Sequence, residues 1–161
     1  MPGILAFILQ CSIVLTLFSH LSAMPGQPLN EQVDSLENLL KTAEGDTDEV
    51  NILNALAWKL RSVESQRGKA EIYARKGLNL ARKLKYRNGI ANINHTLGSI
   101  SSKNGNYWMA LEYYFRVVML NGEMNDIKGL ASAYNNIGLI YKILSDYPQA
   151  LKYLYRSLQM D

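Results

Sequence analysis

A repeat with a period of 40 residues is the strongest constraint that this sequence places on its fold. Residues 91–121 and 131–161 align at this offset without a gap. Identical residues then stand at Ala91/Ala131, Gly98/Gly138, Ile100/Ile140, Tyr107/Tyr147, Ala110/Ala150, Leu111/Leu151, Tyr113/Tyr153 and Arg116/Arg156. A fixed period with small, large and aromatic residues at fixed places predicts a stack of repeated units. Such stacks form extended surfaces that hold other molecules.

A third, more divergent copy precedes these two. A further shift of 40 residues aligns Asn54 with Asn94, Ala70 with Ala110 and Tyr73 with Tyr113. Trp58 takes the place of the small residue Gly98, so this helix pair is expected to meet at a wider spacing or a different angle. Atypical terminal units are common in repeat proteins. We therefore divide the chain into a degenerate repeat 1 (47–90), repeat 2 (91–130) and repeat 3 (131–161).

Each unit is predicted to be a pair of antiparallel helices. In repeat 3, Tyr134, Ile137, Gly138 and Tyr141 recur at steps of three and four, which is typical of one helix face. A glycine inside a helix costs about 1 kcal/mol relative to alanine, so Gly98 and Gly138 indicate close approach of a partner helix.

The turns of the repeat are also visible in the sequence. Asp146 is a candidate N-cap, and Pro148 suits the first turn of the helix that follows it. The segment Asn104–Asn106 is predicted to form the equivalent turn in repeat 2. Between units, Gly89 and Gly129 recur at the same place, and we expect them to adopt positive φ after the helix end.

The segment before the repeats is predicted to be a linker followed by a packing helix, within residues 24–46. Leu29, Val33 and Leu36 stand at helical steps in it. Asp46, with Glu49 three residues later, resembles a capping box at the start of the first repeat helix.

These features resemble the tetratricopeptide repeat family, over residues 47–161. The family pattern of aromatic, leucine-glycine, tyrosine, alanine, aromatic and alanine appears in repeat 3 as Tyr134, Ile137-Gly138, Tyr141, Ala150, Leu154 and Ser157. In repeat 2 it appears as Asn94, Leu97-Gly98, Ser101, Ala110, Tyr114 and Val117. The period of 40 exceeds the usual 34, which implies a longer second helix or loop in each unit.

The resemblance implies an all-α, tetratricopeptide-type solenoid of antiparallel helix pairs. It also implies a protein or peptide ligand. The long period is similar to that of repeats in envelope signalling proteins of Bacteroidetes-type bacteria, which often carry an output domain. We therefore expect an exported, non-catalytic, sensory segment of a bacterial signal-transduction protein.

The N-terminus is consistent with export. An apolar run from Ile4 to Phe18 is followed by the small residues Ser22 and Ala23. This order predicts a signal peptide at residues 1–23 and a periplasmic or cell-envelope location, although no lysine or arginine precedes the run. Residues 8–11 lack the small residues of a lipoprotein cleavage site, so no lipid anchor at Cys11 is expected. In the alternative interpretation, the chain is an intracellular assembly scaffold whose apolar N-terminus stays uncleaved as a docking helix.

Composition excludes several kinds of site. Cys11 is the single cysteine, so the chain after the predicted leader has no thiolate ligand, disulfide or cysteine nucleophile. His95 is the one histidine of that part, and no phosphate-binding loop or paired carboxylates accompany it. We predict no metal site, no cofactor and no enzymatic activity. His95 is either a ligand-contacting groove residue or a solvated polar position.

Charge is uneven along the chain. Residues 29–50 are strongly acidic, whereas residues 59–87 are rich in lysine and arginine. A net charge of +3 is too small to indicate nucleic-acid binding. The basic segment is interpreted as a solvated outer face, with a patch for an acidic or phosphorylated partner as the alternative.

Most of the ten tyrosines occupy repeat-framework positions and are predicted to be core residues.

The family geometry places the binding surface on the first helix of each unit. The resemblance implies that its outward positions are Lys59, Asn92, His95, Ser99, Ser102, Ser132, Asn135, Leu139 and Lys142. Asparagines there could bond the backbone of a bound peptide. The lysine and asparagine set by which some relatives hold a C-terminal carboxylate is not reproduced.

The last residues suggest a continuation. Leu151, Leu154, Leu158 and Met160 are apolar and no polar capping segment follows them. We expect either that the chain continues beyond Asp161, into an output domain or a membrane helix, or that another chain covers this face.

Overall fold

The computed structural model describes residues 28–160, and the predicted signal peptide lies outside them. The described chain forms seven α-helices and one 3₁₀ turn, Glu64–Gln66. The helices are α1 (Leu29–Leu40), α2 (Thr47–Leu60), α3 (Arg67–Lys83), α4 (Arg87–Lys103), α5 (Tyr107–Met124), α6 (Ile127–Ile143) and α7 (Tyr147–Leu158). The pairs α2/α3, α4/α5 and α6/α7 confirm the predicted all-α solenoid.

The chain divides into two compact units between Ser35 and Leu36. Of the first unit, the structure describes residues 28–35, which include the first turns of α1. The second unit contains the end of α1 and the three helix pairs. Within it, Glu37 accepts hydrogen bonds from Lys69 Nζ at 2.7 Å and from Tyr73 Oη at 2.9 Å. These bonds tie the end of α1 to α3.

The helix starts recur every 40 residues, as the sequence period does. The first helices begin at Thr47, Arg87 and Ile127, and the second helices at Arg67, Tyr107 and Tyr147. Residues 91 and 131, where the sequence alignment places the repeat starts, lie four residues inside α4 and α6. From residue 84 onward the turns between helices are only two or three residues long, whereas residues 61–66 between α2 and α3 make a connection of six. Helix α5 has 18 residues. In repeats 2 and 3 the extra length relative to a period of 34 is therefore in the helices rather than in the loops.

The prediction that Gly89 and Gly129 adopt positive φ is wrong. Positive φ occurs four residues earlier, at Gly45, Lys85 and Asn125, again with the 40-residue period. Gly89 and Gly129 lie inside helices instead. The predicted turn around Gly105 is confirmed, because this residue has a φ of 77°.

Close packing explains the two inter-unit glycines. A Cβ built on Gly89 would lie 2.8 Å from Val50 Cγ1 and would also overlap the Tyr86 ring. A Cβ on Gly129 would overlap the Asn121 amide and approach Asp126 Oδ2 to 2.5 Å. Both sites exclude a side chain because neighbouring groups already fill the space.

Two predicted helix starts are confirmed. Asp46 Oδ1 accepts hydrogen bonds from the backbone N–H groups of Asp48 and Glu49, and Glu49 Oε2 accepts from Gly45 N. Asp146 Oδ1 accepts from Gln149 N at 3.2 Å. These bonds satisfy N–H groups that the first turn of a helix leaves without partners.

The core between repeats 2 and 3 is made by one face of α5 and one face of α6. Ala110, Leu111 and Tyr114 on α5 form a buried cluster with Ile137 and Ile140 on α6. Around it pack the half-buried residues Tyr107, Phe115, Val118, Tyr134, Tyr141, Leu144 and Tyr153. Of the framework tyrosines, Tyr113 is buried and Tyr107, Tyr141 and Tyr153 are half-buried against this core. Tyr147 is exposed, so the prediction of a core position is wrong for it.

The α7 residues equivalent to the α5 core face are exposed. Tyr147, Leu151, Tyr155 and Leu158 form a stripe on α7, and 60 to 70% of the surface of each is accessible. Leu154, which the sequence interpretation placed on the same open face, instead packs against Gly138. The stripe occupies the same repeat positions as the face of α5 that packs against α6, but no described helix packs against it.

Candidate functional site

The nine predicted binding residues all lie on the first helices α2, α4 and α6. Five are exposed: Asn92, Ser132, Asn135, Leu139 and Lys142. The other four, Lys59, His95, Ser99 and Ser102, are half-buried. We call this set of nine the first-helix face. Ile52, which lies two helical turns before Lys59 on α2, is buried, so the face begins later in α2.

His95 connects repeats 2 and 3. Its Nε2 lies 3.0 Å from Asn136 Nδ2 and 3.2 Å from Ser132 Oγ. The Asn136 Nδ2 group can only donate, so with this contact Nε2 acts as an acceptor and the imidazole proton resides on Nδ1. The interpretation of His95 as a solvated polar position is therefore wrong. It is a half-buried bridge between α4 and α6.

Two aromatic rings enclose the same imidazole. The Trp58 ring, from repeat 1, has its centroid 5.6 Å from that of His95. The Tyr114 ring meets His95 edge-on at 5.4 Å with an interplanar angle of 70°. These separations are typical of favourable aromatic pairs. His95 thus contacts all three repeats.

Trp58 carries an arginine on its ring face. The Arg61 guanidinium carbon lies 3.1 Å from the Trp58 ring centroid, a cation–π arrangement. Arg61 also donates to the Trp58 carbonyl and, through Nε, to Ser99 Oγ at 3.3 Å. The last bond links α2 to α4. We call the residues joined in this way the inter-repeat cluster: Trp58, Arg61, His95, Ser99, Tyr114, Ser132 and Asn136.

Burial shifts the titration of three members of the cluster. It lowers the pKa of His95, and the nearby Arg61 charge lowers it further. Burial also lowers the pKa of Arg61 and raises the pKa of Tyr114 to about 12. At neutral pH the imidazole and phenol are therefore uncharged, and Arg61 is the cation of the cluster.

Sequence reasoning did not assign Trp58, Arg61, Tyr114 or Asn136 to the site. Trp58 stands at the glycine position of the pattern, and the sequence analysis inferred from it only a wider spacing or a different angle between the two helices of repeat 1. In the structure 40% of its surface is exposed and its ring lies against the next repeat. The equivalents of Arg61 are Ser101 and Tyr141, so the repeat pattern gave no signal for an arginine.

The basic segment of residues 59–87 is partly neutralised by acids. Lys69 pairs with Glu37 at 2.7 Å, and Lys76 pairs with Glu49 at 3.0 Å. Arg75 pairs with Glu71 one helical turn away at 2.6 Å. The acidic run of residues 29–50 thus supplies counterions to α3, which favours the interpretation of this segment as a solvated face.

Neither a metal-binding group nor a membrane-spanning helix is found in the described part of the chain. Residues 28–160 bring no three His, Cys, Asp or Glu side chains together in a way that could hold a metal ion. None of the helices α1–α7 has the length and hydropathy to cross a bilayer. A surface depression lined by residues 105–109 and Leu144 includes none of the first-helix face.

Comparison with protein families identifies the last helix pair. Residues 131–161 match the model of the tetratricopeptide repeat. This chain carries a tetratricopeptide repeat. The match covers the α6/α7 pair, and α2/α3 and α4/α5 share its period and helix positions. Repeats of this family generally bind protein partners and are generally non-catalytic.

A solved structure has the same fold. The chain is similar to the crystal structure of BtubC (BKLC) from P. vanneervenii, with a TM-score of 0.68 and 23% sequence identity. The likeness covers 83% of this chain and 57% of BtubC. At this identity it shows the helical-repeat fold alone. A search of curated protein sequences gives no match.

Proposed function

We propose that the chain is a non-catalytic, protein- or peptide-binding tetratricopeptide segment whose ligand lies on the first-helix face. The observation that carries this proposal is the bonding of three first helices through the inter-repeat cluster. Arg61 joins α2 to α4, and His95 joins α4 to α6. Polar side chains from three repeats therefore share one continuous, fixed surface.

The chemistry of this surface suits a peptide backbone. Asn92 and Asn135 are exposed on α4 and α6, and a carboxamide both donates and accepts hydrogen bonds. A peptide group offers the complementary N–H and C=O. Because the cluster fixes the helices, less conformational freedom is lost on binding, which favours affinity.

The Ser132 and His95 pair lacks the arrangement of a catalytic dyad. A serine nucleophile requires a histidine nitrogen that is free to take its proton, held by a third residue. Here the Asn136 amide donates to the same Nε2 that faces Ser132. Neither α4 nor α6 contains an aspartate or glutamate that could orient Nδ1. This arrangement supports a structural role for His95.

The proposal extends to location and context. Export is supported by the apolar run Ile4–Phe18 and the small residues after it. A sensory role in a bacterial signal-transduction protein is proposed from the similarity of the 40-residue period to that of envelope signalling proteins. N-terminal sequencing of the protein from its own cells tests export. A start near Met24 supports this role, whereas an intact Met1 supports the intracellular scaffold. The coding sequence downstream of Asp161 tests whether an output domain follows.

Selection from a displayed random-peptide library tests the binding function. The full chain is compared with two variants that add one negative charge to the first-helix face, Asn92→Glu and Asn135→Glu. The matched controls are Ile72→Glu and Met119→Glu, which are exposed apolar positions on the second helices α3 and α5.

We expect selected peptides to bind the control variants and to lose binding to the two face variants. A selection that yields no peptide contradicts the proposal. Peptides that bind all five proteins equally would contradict it as well, because their site would lie elsewhere.

A further inference from the structure

The α7 stripe has the composition of a surface that packs against a helix. Its four residues stand 40 positions after the α5 residues Tyr107, Leu111, Phe115 and Val118. On α5 these side chains are buried or half-buried against α6. On α7 the four residues of the stripe are 60 to 70% exposed. The stripe is therefore a helix-packing surface that no helix of the described chain covers.

The α7 stripe carries no charge. The two basic residues of α7 lie outside it. Lys152 Nζ is 5.4 Å from the centroid of the Tyr153 ring, and the Arg156 guanidinium carbon is 5.8 Å from the centroids of the Tyr153 and Tyr134 rings. Tyr153 packs against the α5/α6 core, so both cations lie on that side of the helix. Two copies of the stripe can therefore meet without bringing like charges together, a contact that would be costly.

The order of residues in the stripe is self-complementary in the antiparallel direction. Along α7 the stripe reads Tyr, Leu, Tyr, Leu at steps of four, four and three residues. When a second α7 runs the opposite way, Tyr147 meets Leu158 of the second copy, and Leu151 meets its Tyr155. Each ring then lies against an aliphatic side chain, whereas a parallel pair would oppose like residues. An antiparallel pair has a twofold axis, which is the commonest symmetry of soluble oligomers.

The first helix of the repeats offers no matching surface for a head-to-tail array. Leu53, Leu56 and Leu60 of α2 are each at most 4% exposed. Trp58 of the same helix is 40% exposed, but its ring face carries the Arg61 guanidinium. A head-to-tail contact would need an apolar face on α2 that could receive the stripe. The burial of this helix favours the twofold pair instead.

The size of the stripe suits a weak dimer. Four side chains exposed to this extent present about 500 Å² of accessible surface, since one aromatic side chain can bury roughly 150–250 Å². A symmetric pair then removes about 1,000 Å² from water, which is the lower end of the range for a specific interface. We expect a Kd on the order of 100 µM. At about 5 µM, well below this constant, the chain is monomeric and its stripe is exposed.

We propose that two copies of this chain associate through their α7 stripes, antiparallel and about a twofold axis. The pairing uses none of the nine residues of the first-helix face, so it does not depend on the proposed ligand binding. Each dimer carries two first-helix faces.

Sedimentation equilibrium of the full chain between about 5 and 500 µM measures the association. The disrupting variant is Leu151→Glu, which places a carboxylate near the centre of the pair. The matched controls are Ile72→Glu on α3 and Met119→Glu on α5, where the parent residues are 68% and 66% exposed, close to the 70% of Leu151. Circular dichroism checks that the three variants keep the helical content of the parent.

We expect a monomer–dimer equilibrium whose Kd is at least about tenfold weaker in Leu151→Glu, because an unpaired charge is costly in an apolar contact. Both controls should stay within about twofold of the parent, since scattered exposed positions outside an interface contribute little. A mixture of Leu151→Glu with Tyr155→Lys tests the direction of the pair. Residue 151 faces residue 155 of the second copy only in the antiparallel pair, so the mixture should associate more tightly than either variant alone.

Three results overturn the inference. They are a monomer at every concentration, an equal weakening in the two controls, and oligomers that grow beyond the dimer as the concentration rises. The first would leave the stripe to a different protein, and the last would indicate a head-to-tail array. A mixture that associates no better than its two components overturns the antiparallel direction.

Discussion

The Tyr114 ring fills the space that Gly98 leaves open between α4 and α5. A Cβ on Gly98 would lie 2.9 Å from Tyr114 Cε1. In the next repeat, Leu154 meets Gly138 in the same way, with its Cγ 2.7 Å from a Cβ built there. The equivalent positions of repeat 1 hold Trp58 and Ala74, so the large residue is on the first helix instead. The sequence predicted altered packing in repeat 1 because Trp58 replaces a glycine. The structure shows that the small residue Ala74 on α3 accompanies this replacement.

The glycine sites predict opposite effects for the same substitution. Gly138→Ala should destabilise the fold by about 1–3 kcal/mol, because the new methyl overlaps Leu154 and approaches the Ala150 carbonyl. Gly122→Ala in α5 should stabilise it by up to about 1 kcal/mol, since no atom lies within 4 Å of a Cβ there. Urea unfolding of both variants measures the difference. Equal effects would contradict the packing argument.

The end of the stack predicts a contrast between two equivalent leucines. Leu111 is 3% exposed in the α5/α6 core, whereas Leu151, 40 residues later, is 70% exposed on α7. Leu111→Ala should therefore cost about 2–5 kcal/mol of unfolding free energy. Leu151→Ala should change it by less than about 0.5 kcal/mol. Denaturant midpoints of the two purified variants test this, and a large loss in Leu151→Ala would mean that the α7 stripe is covered in solution.

His95 predicts a dependence of stability on pH. Burial lowers its pKa in the folded chain below the ordinary 6.5. The unfolded state then binds more protons between these two values, so stability is full above pH 6.5 and falls as the pH drops through the folded pKa. The slope contributed by this group is at most about 1.4 kcal/mol per pH unit.

The matched variant for this test is His95→Gln, which keeps a hydrogen-bonding amide and does not titrate. Unfolding free energies are measured for both proteins at pH 7.5 and pH 5.5. We expect the variant to lose less stability than the parent on acidification. Identical losses would show that His95 titrates alike in the folded and unfolded states.

The caps of α7 and α5 predict a third pair of outcomes. Asp146→Ala removes the acceptor of the Gln149 N–H, so it should cost about 1 kcal/mol of unfolding free energy. Asn106 holds the same position before α5, but its side chain forms no capping hydrogen bond. Asn106→Ala should accordingly cost less. Thermal unfolding compares them, and a larger loss in Asn106→Ala would refute the assignment.

The repeat and the turns inside repeats 2 and 3 could be predicted because they depend on local sequence. Gly105, Asp146 and Pro148 act within a few residues of themselves, through allowed backbone angles and unpaired N–H groups. The spacing of Gly98 and Gly138 also identified the close helix contact correctly. Gly89 and Gly129 misled the prediction, because a glycine that needs positive φ and one that needs an empty space look alike in a sequence.

The inter-repeat cluster was decided by tertiary structure. Trp58, His95 and Ser132 stand about 37 residues apart from one to the next, and they share a site because the 40-residue period stacks one first helix beside the next. The sequence by itself determined the period, the helix pairs and the polar character of the first helices. Stacking determined that Arg61 lies on Trp58 and that His95 is half-buried between two aromatic rings. These arrangements depend on long-range packing, which local propensity does not encode.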